Sequence, residues 1–125
     1  MIFDTDIFIW VQRGNSKASN LIDRSEERYL SVQSYMELLQ CARNKEAHHY
    51  VKDFLKNFDF EILSFSENIG HRAAIYIEEY SLSHGVRAGD AIIAATAVEH
   101  GLKLCTANQK PFKCINELGI KVFKP

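Results

Sequence analysis

Apolar residues fall along this chain in short runs and in spaced stripes, and the two alternate from end to end. Ile2-Phe3 is a short run that stops at Asp4, after which Ile7, Phe8, Trp10 and Val11 mark the inner side of a helix. Gly14-Asn15-Ser16 reads as a turn and Lys17 to Ser25 as a polar helix. Tyr29-Leu30-Ser31-Val32 has the composition of a second strand. Behind it Tyr35, Leu38, Leu39 and Ala42 keep the spacing of one buried helix face, and Ala47, Val51, Phe54, Leu55 and Phe58 repeat it in the next helix. Glu61-Ile62-Leu63 is a third strand. Ser66 is placed to cap a helix with Ile69, Ala73, Tyr76, Ile77 and Tyr80 inward, closed by His84-Gly85. A helix from near Asp90 to His100-Gly101 is apolar nearly all round and is predicted to be the most buried. Lys103-Leu104-Cys105 and Lys121-Val122-Phe123 read as the last strands, with a short helical piece over Pro111 to Leu118 between them.

Strands alternating with helices, with no hairpin signal, predict an α/β fold with a parallel sheet covered on both faces. At 125 residues the chain reads as one domain, 1–125. Parallel sheets bind ligands beyond the carboxyl ends of their strands. Four oxygen-bearing residues fall there. Asp4 ends the first strand, Glu37 lies in the helix after the second, Asp90 starts its helix, and Asn108 follows the strand ending near Thr106.

Composition narrows the class. Apolar residues make up 46% and charged residues 25%, the balance of an ordinary globular protein rather than a disordered one. The longest apolar stretch, Ala91 to Val98, falls well short of the roughly 20 residues of a membrane span. Asp4 and Asp6 interrupt any signal-peptide core, so a cytoplasmic protein without membrane contact is expected. Three cysteines without a C-x-x-C pair are expected to be free and mostly buried thiols. A net charge of −1 offers no basic field, which argues for transient rather than strong non-specific nucleic-acid contact.

Each candidate also has an ordinary structural reading. Asp4 could cap a helix, although Asp6 is better placed to cap the segment beginning at Ile7. Glu37 lies about 200° round its helix from Tyr35, off the apolar stripe, where a glutamate is usually just solvated. Asp90 is favoured by the helix dipole whatever its task, and Asn108 suits a turn. What sets them apart is their shared edge. Converged carboxylates need a cation, and Mg²⁺ or Mn²⁺ held by Asp4 and Asp90 with Glu37 nearby would support phosphodiester hydrolysis. No competing apparatus is present: the histidines keep no metal spacing, and there is no P-loop, G-x-G-x-x-G or nucleophile elbow.

These residues carry a family resemblance. Met1 through Trp10 resembles the opening motif of PIN-domain nucleases, and Ser34-Tyr35-Met36-Glu37-Leu38-Leu39 their second acidic motif. Gly89 through Ala97 is similar to their D-A-L-I-A-A-T-A segment, and Leu104 through Phe112 to the closing motif. The small size resembles VapC-type toxins. The resemblance implies a three-layer α/β/α sandwich and Mg²⁺- or Mn²⁺-dependent endoribonuclease activity on an RNA substrate. It further implies a homodimer and inhibition by a cognate antitoxin protein. It makes Asp4, Glu37, Asp90 and Asn108 the catalytic set and Asp4, Asp90 and Glu37 the metal ligands, with Thr5, Asp6 and Thr106 as supports. Asn108 stands where many relatives carry Asp, which removes a charge from any second ion, and Gln109-Lys110-Pro111 departs from the usual polar or acidic run.

Arg13, Lys17, Arg43 and Lys45 sit near helix ends, as RNA phosphate contacts or as solvated surface. Trp10 and Phe8 would stack a base, fill the core or line the antitoxin groove. Two rival readings stay open. Asp4-Thr5-Asp6 also resembles the opening of haloacid-dehalogenase-type phosphatases, with Asp4 as nucleophile, although position 94 of their later acidic motif is Ala. The other rival is a degenerate PIN domain acting as a binding module.

Overall fold

In the computed structural model, which describes all 125 residues, five short strands alternate with six helices. In chain order they are β1 (Ile2–Phe3), α1 (Thr5–Gln12), α2 (Ser16–Arg24), β2 (Tyr29–Ser31), α3 (Val32–Cys41), α4 (Lys45–Asn57), β3 (Glu61–Leu63), α5 (Glu67–His84), α6 (Ala88–Glu99), β4 (Leu104–Thr106) and β5 (Ile120–Val122). The sheet runs β3-β2-β1-β4-β5 and every pairing is parallel. From β1 the chain winds outward to β3, then returns to the other side of β1 for β4 and β5. The point where winding reverses therefore lies between β1 and β4, where open α/β sheets bind their ligands.

Side chains alternate across each strand and so build two cores. Ile2 and Leu104 face a cluster with Ile69 and Tyr76 of α5 and Ile93 and Ala94 of α6. Phe3, Leu30 and Cys105 face the opposite cluster with Phe8, Ile22, Leu38, Val51 and Leu55. The expected α/β/α sandwich is the observed architecture. α6 buries Ala91, Ile93, Ala94, Ala95, Thr96 and Ala97, as its all-round apolar sequence predicts. Ser66 caps α5 by accepting from the Ile69 N–H at 3.1 Å, and Gly85 closes it at φ 66°, a left-handed turn that favours glycine.

Four expectations need correction. α1 begins at Thr5 with Asp4 as its N-cap, so Asp6 lies inside the first turn. Pro111 to Leu118 forms a run of turns rather than a helix. Its apolar anchors Phe112, Ile115 and Leu118 repeat every three residues, and the Ile115 and Leu118 N–H groups donate three residues back, to Phe112 O and Ile115 O. In α3 the fully enclosed positions are Ser34 and Leu38, while Tyr35 and Leu39 are only half-buried. All three cysteines are free, but only Cys105 is buried; Cys41 is exposed. No helix is long and apolar enough to cross a membrane.

The two-sided core sets a clear expectation for α6. Ile93→Ala should cost about 2–5 kcal/mol, read as a lower denaturation midpoint at unchanged slope. Leu82→Ala, at a fully exposed position of α5, should stay within about 0.5 kcal/mol of wild type. Equal effects at the two positions would contradict this placement of the core.

Candidate active site

Asp4 leaves β1 at the winding reversal, and its backbone N–H extends the β1–β4 ladder by donating to Cys105 O at 2.9 Å. Its carboxylate is held on both oxygens. Oδ1 accepts from the Thr5 N–H at 2.7 Å, capping α1, and Oδ2 accepts from the Thr106 hydroxyl at 2.8 Å. Thr106, fully buried at the end of β4, also lies 3.3 Å from Asp6 Oδ2 and accepts from the Asn108 N–H at 3.1 Å. A hydroxyl has one proton, so the shorter bond to Asp4 claims it. Asp6 is secured instead by the Ala107 N–H at 3.1 Å. Its Oδ1 is buried without any partner.

Glu37 comes from the far side. Its Oε1 accepts from the Thr5 hydroxyl at 3.0 Å, which joins α3 to the first turn of α1. Gln33 and Glu37, one turn apart on α3, meet the start of α6 at Gly89. A methyl group there would lie 3.3 Å from Gln33 Nε2 and 3.9 Å from Glu37 Oε2. Glycine thus lets α3 approach α6 and brings Glu37 beside the residue preceding Asp90. Asp90, half-buried, accepts weakly from the Arg87 N–H at 3.4 Å.

The electrostatics follow from burial. Asp4 is pushed from 3.8 up to about 7, first by loss of water and then by the charge of Asp6, with Asp90 adding to it. The Thr106 hydroxyl and Thr5 N–H oppose that rise without cancelling it. Burial likewise raises Asp6 and Asp90. The Arg87 N–H and charge oppose the rise of Asp90, and no salt bridge reaches any of the three, since the only ion pairs join Arg72 to Glu99 and Glu117. The donor set is all hard oxygen, and the partnerless Asp6 Oδ1 is an uncompensated acceptor at its edge, so the residues suit Mg²⁺ or Mn²⁺. No three His, Cys, Asp or Glu side chains close into a ready cage. An ion that keeps several waters and uses one or two carboxylates needs none.

Of the residues singled out in the sequence, Asp4, Thr5, Asp6, Glu37 and Thr106 are joined by hydrogen bonds directly or in chain neighbourhood, and Asp90 is near enough to act on Asp4. Asn108 enters the network through its backbone N–H, while its exposed residue shares a cleft with Asp90. Arg43 lines a cleft with Thr5. Arg13 lies over the Trp10 ring at 5.4 Å, and Lys17 and Lys45 are exposed in the first turns of α2 and α4. Phe8 is core. Gln33, Arg87 and Lys110 were not picked out. Gln33 was legible as the residue one turn before Glu37, and Arg87 as the one three before Asp90.

Residues 1–118 match the PIN domain, and the chain belongs to that family. Its structure is similar to a toxin–antitoxin complex from Klebsiella pneumoniae, at 28% identity and TM-score 0.78 over 94% of this chain and 93% of that one. It is also similar to FitAcB from Neisseria gonorrhoeae, at 25% identity and TM-score 0.75 over 95% and 94%. VapBC2 from Rickettsia felis, bound to a DNA fragment from its promoter, shares the fold at 24% identity and TM-score 0.79 over 99% and 100%. No curated protein matches the chain in sequence.

The raised Asp4 has a thermodynamic signature. Between pH 3.8 and about 7 the folded protein keeps a proton that the unfolded chain has released, so stability falls as pH rises through that window. The loss is complete above it and amounts to a few kcal/mol, at about 1.4 kcal/mol per pH unit. In chelator-treated protein, Asp4→Asn, which keeps a capping side chain, should raise Tm by roughly 5–10 °C at high pH and hardly at all at pH 4. A Tm difference that did not vary with pH would contradict a buried, charge-strained Asp4.

Proposed function

We propose that this PIN domain is a divalent-metal-dependent endoribonuclease and the toxin of a toxin–antitoxin pair. The observation that carries the nuclease reading is the group of half-buried carboxylates at the β1–β4 reversal, raised in pKa and held in no salt bridge. Family membership supports it across nearly the whole chain, and leaves the phosphatase reading of Asp4 without a matching fold. The toxin reading is supported by the similar structures from Klebsiella and Neisseria, the first a toxin–antitoxin complex.

In this reading Asp4 and Asp90 hold Mg²⁺ or Mn²⁺, and Glu37 completes the acidic site. When bound, the ion supplies a more acidic attacking water and neutralises charge that develops on the scissile phosphate. The chain's own work is positioning. Thr106 fixes Asp4 through Oδ2, leaving Oδ1 on the Thr5 side, and the Thr5 hydroxyl aims Glu37. Asp6 is clamped by the Ala107 N–H and keeps one oxygen spare. Asn108 holds the β4 exit by donating its N–H to Thr106 Oγ1. Because Asp4 ionises only near pH 7, protons compete with the cation for it, and activity should climb as pH rises through neutrality.

For the partner, a groove of about 410 Å³ runs between α1, α3 and the start of α4, with Ile9, Leu38, Ala42, Ala47 and Tyr50 in its walls. Tyr50 is half-exposed there. We assign that groove to the antitoxin's apolar segment. A homodimer acting on RNA in the cytoplasm completes the reading.

Purified protein should cut RNA with Mg²⁺ or Mn²⁺ and stop with EDTA. Asp4→Asn and Asp90→Asn should each lower cleavage more than about 100-fold with an unchanged circular dichroism spectrum. Thr106→Val, which keeps shape and removes the proton held by Asp4, should lower it about 10–100-fold. Turnover of small phosphate monoesters without RNA cleavage would revive the phosphatase. Partner binding with neither activity would make the chain a catalytically degenerate module.

A further inference from the structure

On the Asn108 side of the carboxylates lies a second opening, a cleft of about 400 Å³ lined by His84, Arg87, Asp90, Asn108 and Lys110 together with Gly85 and Pro111. Apart from the Pro111 ring, its side chains are polar or charged. Such a surface gives little to a stacked base or an apolar peptide, but it suits a sugar–phosphate strand, whose contacts are charge and hydrogen bonds. We propose that this cleft is a backbone-phosphate subsite for the RNA strand next to the cutting site, with Arg87 and Lys110 as its phosphate contacts. The proposal rests on the nuclease reading and adds two cations to the acidic residues assigned above.

Charge is the first support. Arg87 and Lys110 are exposed and neither forms a salt bridge, although the Arg87 charge acts on Asp90 and opposes its upward shift. Asp90 is the only acid in the cleft, and Asn108 opposite it is neutral, so this wall is locally cationic in a chain of net charge −1. A polyanion approaching the acids from this side meets two exposed cations. Placement is the second support. Arg87 is the extended N-cap residue of α6, three positions before Asp90 and tied to it by its own backbone N–H. Lys110 sits two residues past Asn108, in a turn closed by the Phe112 and Lys113 N–H groups donating to Gln109 O. Phe112, buried in the α5–α6 core, anchors that turn. Both cations thus stand on fixed supports immediately outside the β1–β4 reversal.

The test is fluorescence anisotropy of a labelled single-stranded RNA oligonucleotide with wild-type protein in EDTA, across a KCl series. Arg87→Gln and Lys110→Gln should each weaken binding several-fold and lower the slope of log K against log salt by roughly 0.7. In Mg²⁺ or Mn²⁺ Lys110→Gln should raise KM while kcat stays within about twofold of wild type. Lys56→Gln, on exposed α4 away from the cleft, should leave the slope unchanged. An unaltered slope and affinity in the Arg87→Gln/Lys110→Gln double variant, with cleavage intact, would overturn the subsite and leave the nuclease standing. Binding with the expected slope changes but no cleavage supports the subsite and fails the nuclease reading. RNA neither bound nor cut overturns both.

Discussion

One hydroxyl proton links the two halves of this chain. Thr106 donates it to Asp4, 102 positions earlier, because β1 and β4 lie side by side in parallel with Phe3 opposite Cys105. Phe3 and Cys105 point together into one core, so the next residues along, Asp4 and Thr106, turn together toward the other side of the sheet. A slip of one residue would send Thr106 into the apolar layer and leave the carboxylate facing alkyl groups. The rest of the cluster hangs on this pairing. Ala107 N–H reaches Asp6 because β4 stops where β1 stops, and the Asn108 N–H closes the local turn onto Thr106.

Such an arrangement works against folding. Three carboxylates drawn to a dry edge repel one another and lose water, and their protonation is correspondingly favoured. Two full apolar layers on either side of the sheet carry the fold in spite of that. The Arg72 network acts elsewhere and differently. Arg72 reaches Glu99 at 2.5 Å and Glu117 at 2.7 Å, and the Tyr76 hydroxyl also donates to Glu117. With Arg72 a third exposed and Glu117 nearly half, its net energy is small. What it supplies is a tie from α5 and α6 to the far end of the segment that carries Asn108 and Lys110.

Most of the architecture was legible because the apolar residues keep two distinct patterns: short runs in the strands, helical stripes between them. The failures came where a period was misjudged or where a small polar residue was buried. Pro111 to Leu118 reads as a short helical piece, yet the strict spacing of three in Phe112, Ile115 and Leu118 belongs to tight turns. Ser34 looks like surface, but its N–H donates to Ser31 Oγ as the helix cap closes, and that buries it. Placing Ser34 on the inner face rotates α3, and Glu37, about 60° from Ser34, flanks the core instead of facing open water. Asp6 was assigned the cap that Asp4 makes, because a two-residue strand leaves no slack and α1 starts at once. The acidic residues themselves were visible as strand-end positions. The cations of the cleft were less so: Arg87 is marked only by its place three before Asp90, and Lys110 gains meaning only when α6 and the β4 exit meet.

The carboxylates have two unlike approaches, and the difference bears on how the proposed nuclease would be restrained. On one side the groove between α1, α3 and the start of α4 is lined by Ile9, Leu38, Ala42, Arg43 and Thr5. On the other side lies the polar cleft of Arg87, Asp90, Asn108 and Lys110. A protein segment drawn by its apolar residues into the first would end at Thr5, whose hydroxyl holds Glu37. It would thereby reach the acidic centre without entering the path proposed for the strand. Inhibitor and substrate would then compete for one acidic centre while binding through different forces. Their salt dependences would differ as well: steep for the strand, shallow for the segment.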